Sequence, residues 1–129
     1  RKALGREGYD VFTLPGGAQG LEAVLREPFD LVIDIQTIQH VPWAEHLTAY
    51  AEIARVLKPG GRFFSMHWLN GDQAIIYPDH PELEPHLPAH LFDLIGSGGL
   101  RLENSNVLSR TYHNGEHEAR WAILEAVKP

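Results

Sequence analysis

An α/β fold containing a parallel strand pair is predicted for this 129-residue chain by three adjoining features. Phe29-Asp30-Leu31-Val32-Ile33-Asp34-Ile35 places aliphatic residues at consecutive positions, the pattern of a strand buried on both faces of a parallel sheet. Pro42 to Leu57 then carries Leu47, Tyr50, Ala51, Ile53, Ala54 and Leu57 at helical spacing, with Pro42 tolerated in the first turn. Lys58 follows where the helix dipole favours a cation, Pro59-Gly60-Gly61 stops the helix, and a second strand is expected over Arg62 to His67. Strand, helix and strand in this order form a βαβ unit, whose crossover is expected to be right-handed.

The flanking segments read less sharply. Arg1 to Glu7 is expected to end a helix closed by Gly8, and Tyr9 to Thr13 to form a strand stopped by Pro15-Gly16-Gly17. Leu21, Val24 and Leu25 have the spacing of a short helix or turn. Asn70 to Pro88, with Pro78, Pro81, Pro85 and Pro88, reads as an irregular surface excursion, and Ala89 to Ile95 as a short helix before a glycine-rich turn. Leu100 to Thr111 and Ala119 to Val127 are expected strands; the Asn114-Gly115 turn signal lies in a connection too long for a two-residue hairpin. One domain over residues 1–129 accounts for the chain.

Composition narrows the function classes. The chain is 43% hydrophobic and 22% charged, which is the globular range. Its formal net charge of −6 disfavours broad binding to nucleic acid or anionic membranes, since both reward a basic face. With no cysteine, a disulfide framework, a thiolate metal site and a cysteine nucleophile are excluded, and a cytoplasmic, reducing location is expected. The longest apolar run is interrupted by Asp30, Asp34 and Gln36 and is too short to span a bilayer. No Gly-x-Ser-x-Gly elbow, P-loop or dinucleotide fingerprint occurs.

The residues Phe29-Asp30-Leu31-Val32-Ile33-Asp34, Ile38-Gln39-His40-Val41 and Glu52-Ile53-Ala54-Arg55-Val56-Leu57-Lys58-Pro59-Gly60-Gly61-Arg62-Phe63 together resemble class I S-adenosylmethionine-dependent methyltransferases. That resemblance implies a Rossmann-like sheet ending in an antiparallel strand pair, with Leu100 to Thr111 and Trp121 to Val127 as the pair. It places Phe29 to Ile35 as the fourth strand of the family and Arg1 within the helix before the third. The chain is therefore expected to be truncated at its N-terminus, a piece of a longer or oligomeric enzyme. The family's cofactor loop after the first strand has no counterpart; Gly16-Gly17-Ala18-Gln19-Gly20 aligns with the turn after the third strand, beside the adenine of the cofactor.

Ligands of open α/β sheets bind outside the carboxyl ends of the strands. Resemblance accordingly implies that Gly17, Ala18, Asp34, Ile35 and Gln36 contact S-adenosylmethionine, and that His40 lies near the transferred methyl as a general base, imidazole being able to take a proton near neutral pH. Asp34 reads equally as a strand-end cap, and His40 as a helix-start residue bonded to backbone. His67 and Trp68 end the next strand and are expected at the same rim, lining a small-molecule substrate, with Trp68 reading equally as an aromatic that covers the core edge, while Tyr77 lies in the proline-rich excursion as part of a lid or as plain surface. Histidine pairs His86/His90 and His113/His117 have metal-ligand spacing, but Pro88 and Asn114-Gly115 interrupt them, so no metal site is assigned.

Two functions follow as expectations. One is methyl transfer from S-adenosylmethionine to a small molecule. The other is a degenerate, non-catalytic methyltransferase-like module for interaction or dimerisation. A fragment lacking central strands would expose hydrophobic edges, so a homo-oligomer is expected if the chain folds alone.

Overall fold

A computed structural model of the protein describes residues 28–71, 78–112 and 114–129. The early helix and strand expected before residue 28, together with Gly17, Ala18, Tyr77 and His113, lie outside the described residues.

Strand β1 runs over Phe29–Ile35, as its aliphatic run predicts. It pairs in parallel with β2, Leu57–Gly71, in a register that sets Ile33 opposite Phe64 and Ile35 opposite Met66. The connection between them holds two 3-10 turns, Ile38–His40 and Trp43–Glu45, and then helix α1, His46–Val56. The helix starts later than the periodicity suggests. Val41, which precedes a proline, is extended at φ −77° and ψ 141°, as steric clash with a proline ring demands, and the Glu45 N–H closes a turn onto the Pro42 carbonyl at 2.8 Å.

The buried stripe of α1 is His46, Tyr50 and Ala54, while Leu47 and Ala51 face solvent. The Pro-Gly-Gly segment does not simply separate helix from strand. It is a bulge inside β2: Phe29 pairs with Leu57 and Leu31 already with Arg62. Gly60 takes φ +79°, a conformation costly for any side chain, and its N–H meets the Lys128 carbonyl at 2.8 Å. Lys58 pairs with the exposed Asp30 at 3.3 Å instead of capping the helix.

The chain then returns through helix α2, Pro88–Ser97, with Pro88 in its first turn and Leu91 and Ile95 buried one turn apart. Strands β3, Arg101–Tyr112, and β4, His117–Val127, are antiparallel. They turn through Asn114 and Gly115, at φ +57° and +87°. Strand β4 inserts between β2 and β3, giving the order β1-β2-β4-β3. The expected antiparallel ending of the sheet is thereby present.

Both helices pack with one face of the sheet, burying Tyr50, Ala54, Phe63, Leu69, Leu91, Ile95, Leu100 and Leu124 as the main core. A smaller cluster joins Trp68, Leu83, Ala119 and Trp121. The expectation that β1 is buried on both faces is corrected. Leu31, Ile33 and Ile35 are 51%, 52% and 50% exposed, because the described helices cover only the Val32 side. Beside them Leu31, Ile33, Arg62, Phe63, Phe64 and Glu125 line a shallow hollow of about 350 Å³.

Candidate functional site

The carboxyl end of β1 is built around Asp34, which is buried. Its Oδ1 accepts the N–H groups of Thr37 and Ile38, each at 3.0 Å, and its Oδ2 accepts the Ser65 hydroxyl at 2.7 Å. A buried carboxylate is tolerable only when satisfied in this way. Asp34 thus clasps the strand to the turn that follows and to β2, with its oxygens directed into the protein. Beyond it Ile35 is half-exposed, and Gln36 adopts a left-handed φ of +57°, uncommon for a residue with a side chain. The Gln36 N–H continues the ladder to the Met66 carbonyl at 2.8 Å, and its Oε1 accepts the Trp121 indole N–H at 3.3 Å.

His40 stands at the end of the first 3-10 turn, about one third exposed. Its Nδ1 lies 2.9 Å from Oε1 of Glu82, contributed by the proline-rich segment. The same oxygen lies 3.0 Å from Nδ1 of His80, whose ring is centred 4.8 Å from that of His40. The Glu82 carboxyl is held below the usual carboxylate range by its own backbone N–H first, and then by His40 and His80. Gln39 orients His40 from the other side. Its Oε1 accepts the Trp68 backbone N–H at 2.7 Å, so its amide NH2 faces His40 Nε2 at 3.5 Å. That network assigns the lone pair of His40 to Nε2 and the proton to Nδ1, directed at Glu82.

Behind this pair lies an aromatic and histidine wall that the sequence did not reveal. Trp43 stacks on His86 with ring centres 3.4 Å apart. His46 is buried, with Nδ1 at 3.0 Å from the Pro42 carbonyl, which can only accept, so Nε2 keeps its lone pair. The ring of His67 stands edge-on to that of His46, centred 5.3 Å away. Burial, followed by the neighbouring His46, His86 and His40, pushes the His67 imidazole down to about 3. Burial also lowers His86, and raises the Tyr50 hydroxyl well above its ordinary range, helped by the charge of Asp34. His46 Nε2, Tyr50 OH, His67 Nδ1 and Trp68 Nε1 have no hydrogen-bond partner among the described residues.

The structure therefore redistributes the candidate residues. Asp34, Ile35, Gln36 and His40 do gather at the end of β1. His67 and Trp68 do not form a rim: each is 1% exposed, His67 beneath α1 and Trp68 on the opposite side of β2, packed with Leu83 and beside its β4 partner Trp121. Their position in a central strand accounts for this, since α1 covers one side of it and the segment after β2 folds back over the other. That segment is anchored by the His86 N–H on the Leu69 carbonyl at 2.6 Å and by Asn70 Nδ2 on the His86 carbonyl at 3.2 Å. Glu82, His80, Gln39 and His46 were missed. For His46 a signal existed, its position one turn before Tyr50 on the buried stripe. For Glu82 and His80 none did, because they reach His40 only through the fold.

Comparison with known proteins is consistent with this geometry. Residues 2–65 match a family model described as a methyltransferase domain. No curated protein matches the sequence. Among solved structures, a provisionally assigned methyltransferase from Bacillus halodurans C-125 is 14% identical with a TM-score of 0.65, covering 80% of this chain and 65% of its own. An S-adenosylmethionine-dependent methyltransferase of Methanosarcina mazei is 17% identical with a TM-score of 0.59, over 79% of this chain and 60% of its own. Phosphoethanolamine N-methyltransferase 2 of Haemonchus contortus, solved in complex with S-adenosyl-L-methionine, is 17% identical with a TM-score of 0.59, over 80% of this chain and 34% of its own. The chain thus spans less than two thirds of the length of each of these structures. Residues 2–65 thus match a methyltransferase domain, and the β1-β2-β4-β3 sheet shares the fold of these methyltransferase structures.

Proposed function

We propose that this chain contributes the acceptor side of an enzyme transferring a methyl group from S-adenosylmethionine to the O–H or N–H of a small molecule. The single observation that carries the reading is the His40–Glu82 pair at the end of β1, with the His40 proton on Nδ1 and its lone pair on Nε2. The end of β1 fits the cofactor in one respect: half-exposed Ile35 offers an apolar wall beside the turned backbone of Gln36, with the Asp34 clasp behind it. Ile35 and Gln36, joined by Gly17 and Ala18, would hold it, with Asp34 positioning them from behind. When bound, the cofactor supplies an electrophilic methyl on a cationic sulfur.

The protein's own residues then act on the acceptor. His40 Nε2 takes the acceptor proton as the new bond to carbon forms, and Glu82 stabilises the resulting imidazolium through Nδ1–H. In-line positioning supplies most of the remaining acceleration. Half-buried Trp43 and His86, stacked beside this pair, take the place of His67 and Trp68 as the wall against which the acceptor packs.

Calorimetric titration of S-adenosylhomocysteine into the protein, followed by transfer of labelled methyl to a panel of phenols, carboxylates and amines, tests the reading. Binding together with transfer that His40→Ala abolishes is expected. Binding with transfer that His40→Ala leaves intact would remove the base, and no binding at all would remove the enzyme.

A second reading is favoured by the stripe of Leu31, Ile33 and Ile35 along β1. Here the chain is a non-catalytic module that pairs with a second copy through this open face. Sedimentation of the protein and of Ile33→Lys distinguishes the two: a dimer lost in the variant, without cofactor binding, favours the module.

A further inference from the structure

We propose that His40, His80 and Glu82 form a binding site for one divalent transition-metal ion of the zinc, cobalt and nickel group, and that its occupation takes His40 out of service as a base. The nitrogen and oxygen atoms that each residue offers lie within 4.8 Å of one another, the only such group among the described residues. Both Nδ1 atoms converge on a single carboxylate oxygen, at 2.9 and 3.0 Å. Two imidazole nitrogens and one carboxylate are a donor set suited to Zn²⁺, Co²⁺ and Ni²⁺ and poorly suited to Mg²⁺ or Ca²⁺, which prefer all-oxygen shells.

Geometry supports the assignment. Zinc bonds of roughly 2.0–2.1 Å require donor atoms roughly 3.3 Å apart, so the two Nδ1···Oε1 distances of 2.9 and 3.0 Å must open slightly while the widest separation in the group, within 4.8 Å, closes. The side chains of His40, Glu82 and His80 are 33%, 38% and 48% exposed, so they can make that adjustment and leave coordination positions open to water. His40 comes from the turn after β1, and His80 and Glu82 from the segment after β2, so the ion would fasten together two loops that meet only in the folded protein.

The consequence for His40 rests on the proposed methyl transfer. Coordination through Nδ1 needs a lone pair on that nitrogen, so the proton now shared with Glu82 is released to solvent as Nε2 takes one up, and the ring's single proton ends on Nε2. An imidazole so protonated cannot accept a proton from the acceptor. The ion and the acceptor's proton therefore compete for one ring.

The test uses the full chain without cofactor or acceptor, so its outcome does not depend on whether methyl transfer occurs. Co²⁺ is titrated in while its visible absorption is followed, and Zn²⁺ in a calorimeter. Saturation at about one equivalent is expected. His80→Ala and Glu82→Gln should each weaken it at least about tenfold, while His90→Ala, on the exposed side of α2, should leave it unchanged. Absence of saturable binding, or binding equally weakened by His90→Ala, would overturn the site. Where methyl transfer is measurable, Zn²⁺ should inhibit the wild type and not His80→Ala, which keeps the His40–Glu82 pair. Tight binding without inhibition would overturn the competition.

Discussion

His46 and His67 face each other edge-on in the core, ring centres 5.3 Å apart, and neither His46 Nε2 nor His67 Nδ1 has a hydrogen-bond partner among the described residues. Two imidazoles in that position are compatible with folding only while His67 is neutral. His67 titrates at about 3 when folded, against an ordinary value of 6.5, and in the window between them the unfolded chain binds the extra proton. Stability from this residue is therefore complete above pH 6.5 and declines as pH falls toward 3.

The measurable expectation is a loss on the order of 3 kcal/mol in unfolding free energy between pH 7 and pH 4, at about 1.4 kcal/mol per unit. His46, His86 and His40 face the same ring and, with Tyr50 on α1, belong to the same wall. His67→Gln should flatten the profile in urea denaturation. A variant profile as steep as that of the wild type would show that other groups drive the acid loss.

Asp34→Ala is expected to destabilise the protein by about 2–4 kcal/mol, since it strands the Thr37 and Ile38 N–H groups and the Ser65 hydroxyl. Asp34→Asn should cost less, about 1–2 kcal/mol, because the amide oxygen still accepts and the Ser65 hydroxyl can reverse its role. Urea midpoints measure both. Unchanged stability with weakened S-adenosylhomocysteine binding would instead make Asp34 a direct cofactor contact.

His40→Ala should lower kcat of methyl transfer by about 10²- to 10⁴-fold, the usual worth of a positioned base. Glu82→Gln should lower kcat about tenfold with little change in KM, because Glu82 acts through His40 and not on the acceptor. A rise in KM alone in either variant would assign the pair to acceptor binding.

Two glycines around the end of α2 make a matched stability test. A Cβ on Gly98 would sit 2.8 Å from the Tyr50 Cβ and 3.0 Å from its carbonyl carbon, so Gly98→Ala should cost about 1–3 kcal/mol. Gly96, inside the helix, has nothing within 4 Å of such an atom, and Gly96→Ala should gain about 0.5–1 kcal/mol. Equal melting temperatures for the two variants would contradict the close packing of the α2 turn against α1.

The local elements were legible in the residues because periodicity and turn chemistry are local. The aliphatic run marked β1 at its observed ends, Pro88 and the glycine-rich turn bracketed α2, and Asn114-Gly115 marked the β3–β4 connection. The phrase from Glu52 to Phe63 carried the resemblance to methyltransferases, and the expected place of His40 after β1 came with it. What α1 would bury was only half legible: hydrophobic spacing pointed to Leu47, yet His46 occupies the stripe, because a histidine can enter a core once the Pro42 carbonyl takes its N–H.

Tertiary structure alone decided the remainder. His67 and Trp68 end a strand, which suggests a rim, but whether a strand end is covered depends on where a later segment returns, and residues 78–87 return across it. The same return delivers Glu82 and His80 to His40. A contact between residues so distant in the chain has no periodic signature. Residue spacing by itself determined which strands and helices form; the layering of those elements decided which polar side chains are buried, which are paired and which meet at a site.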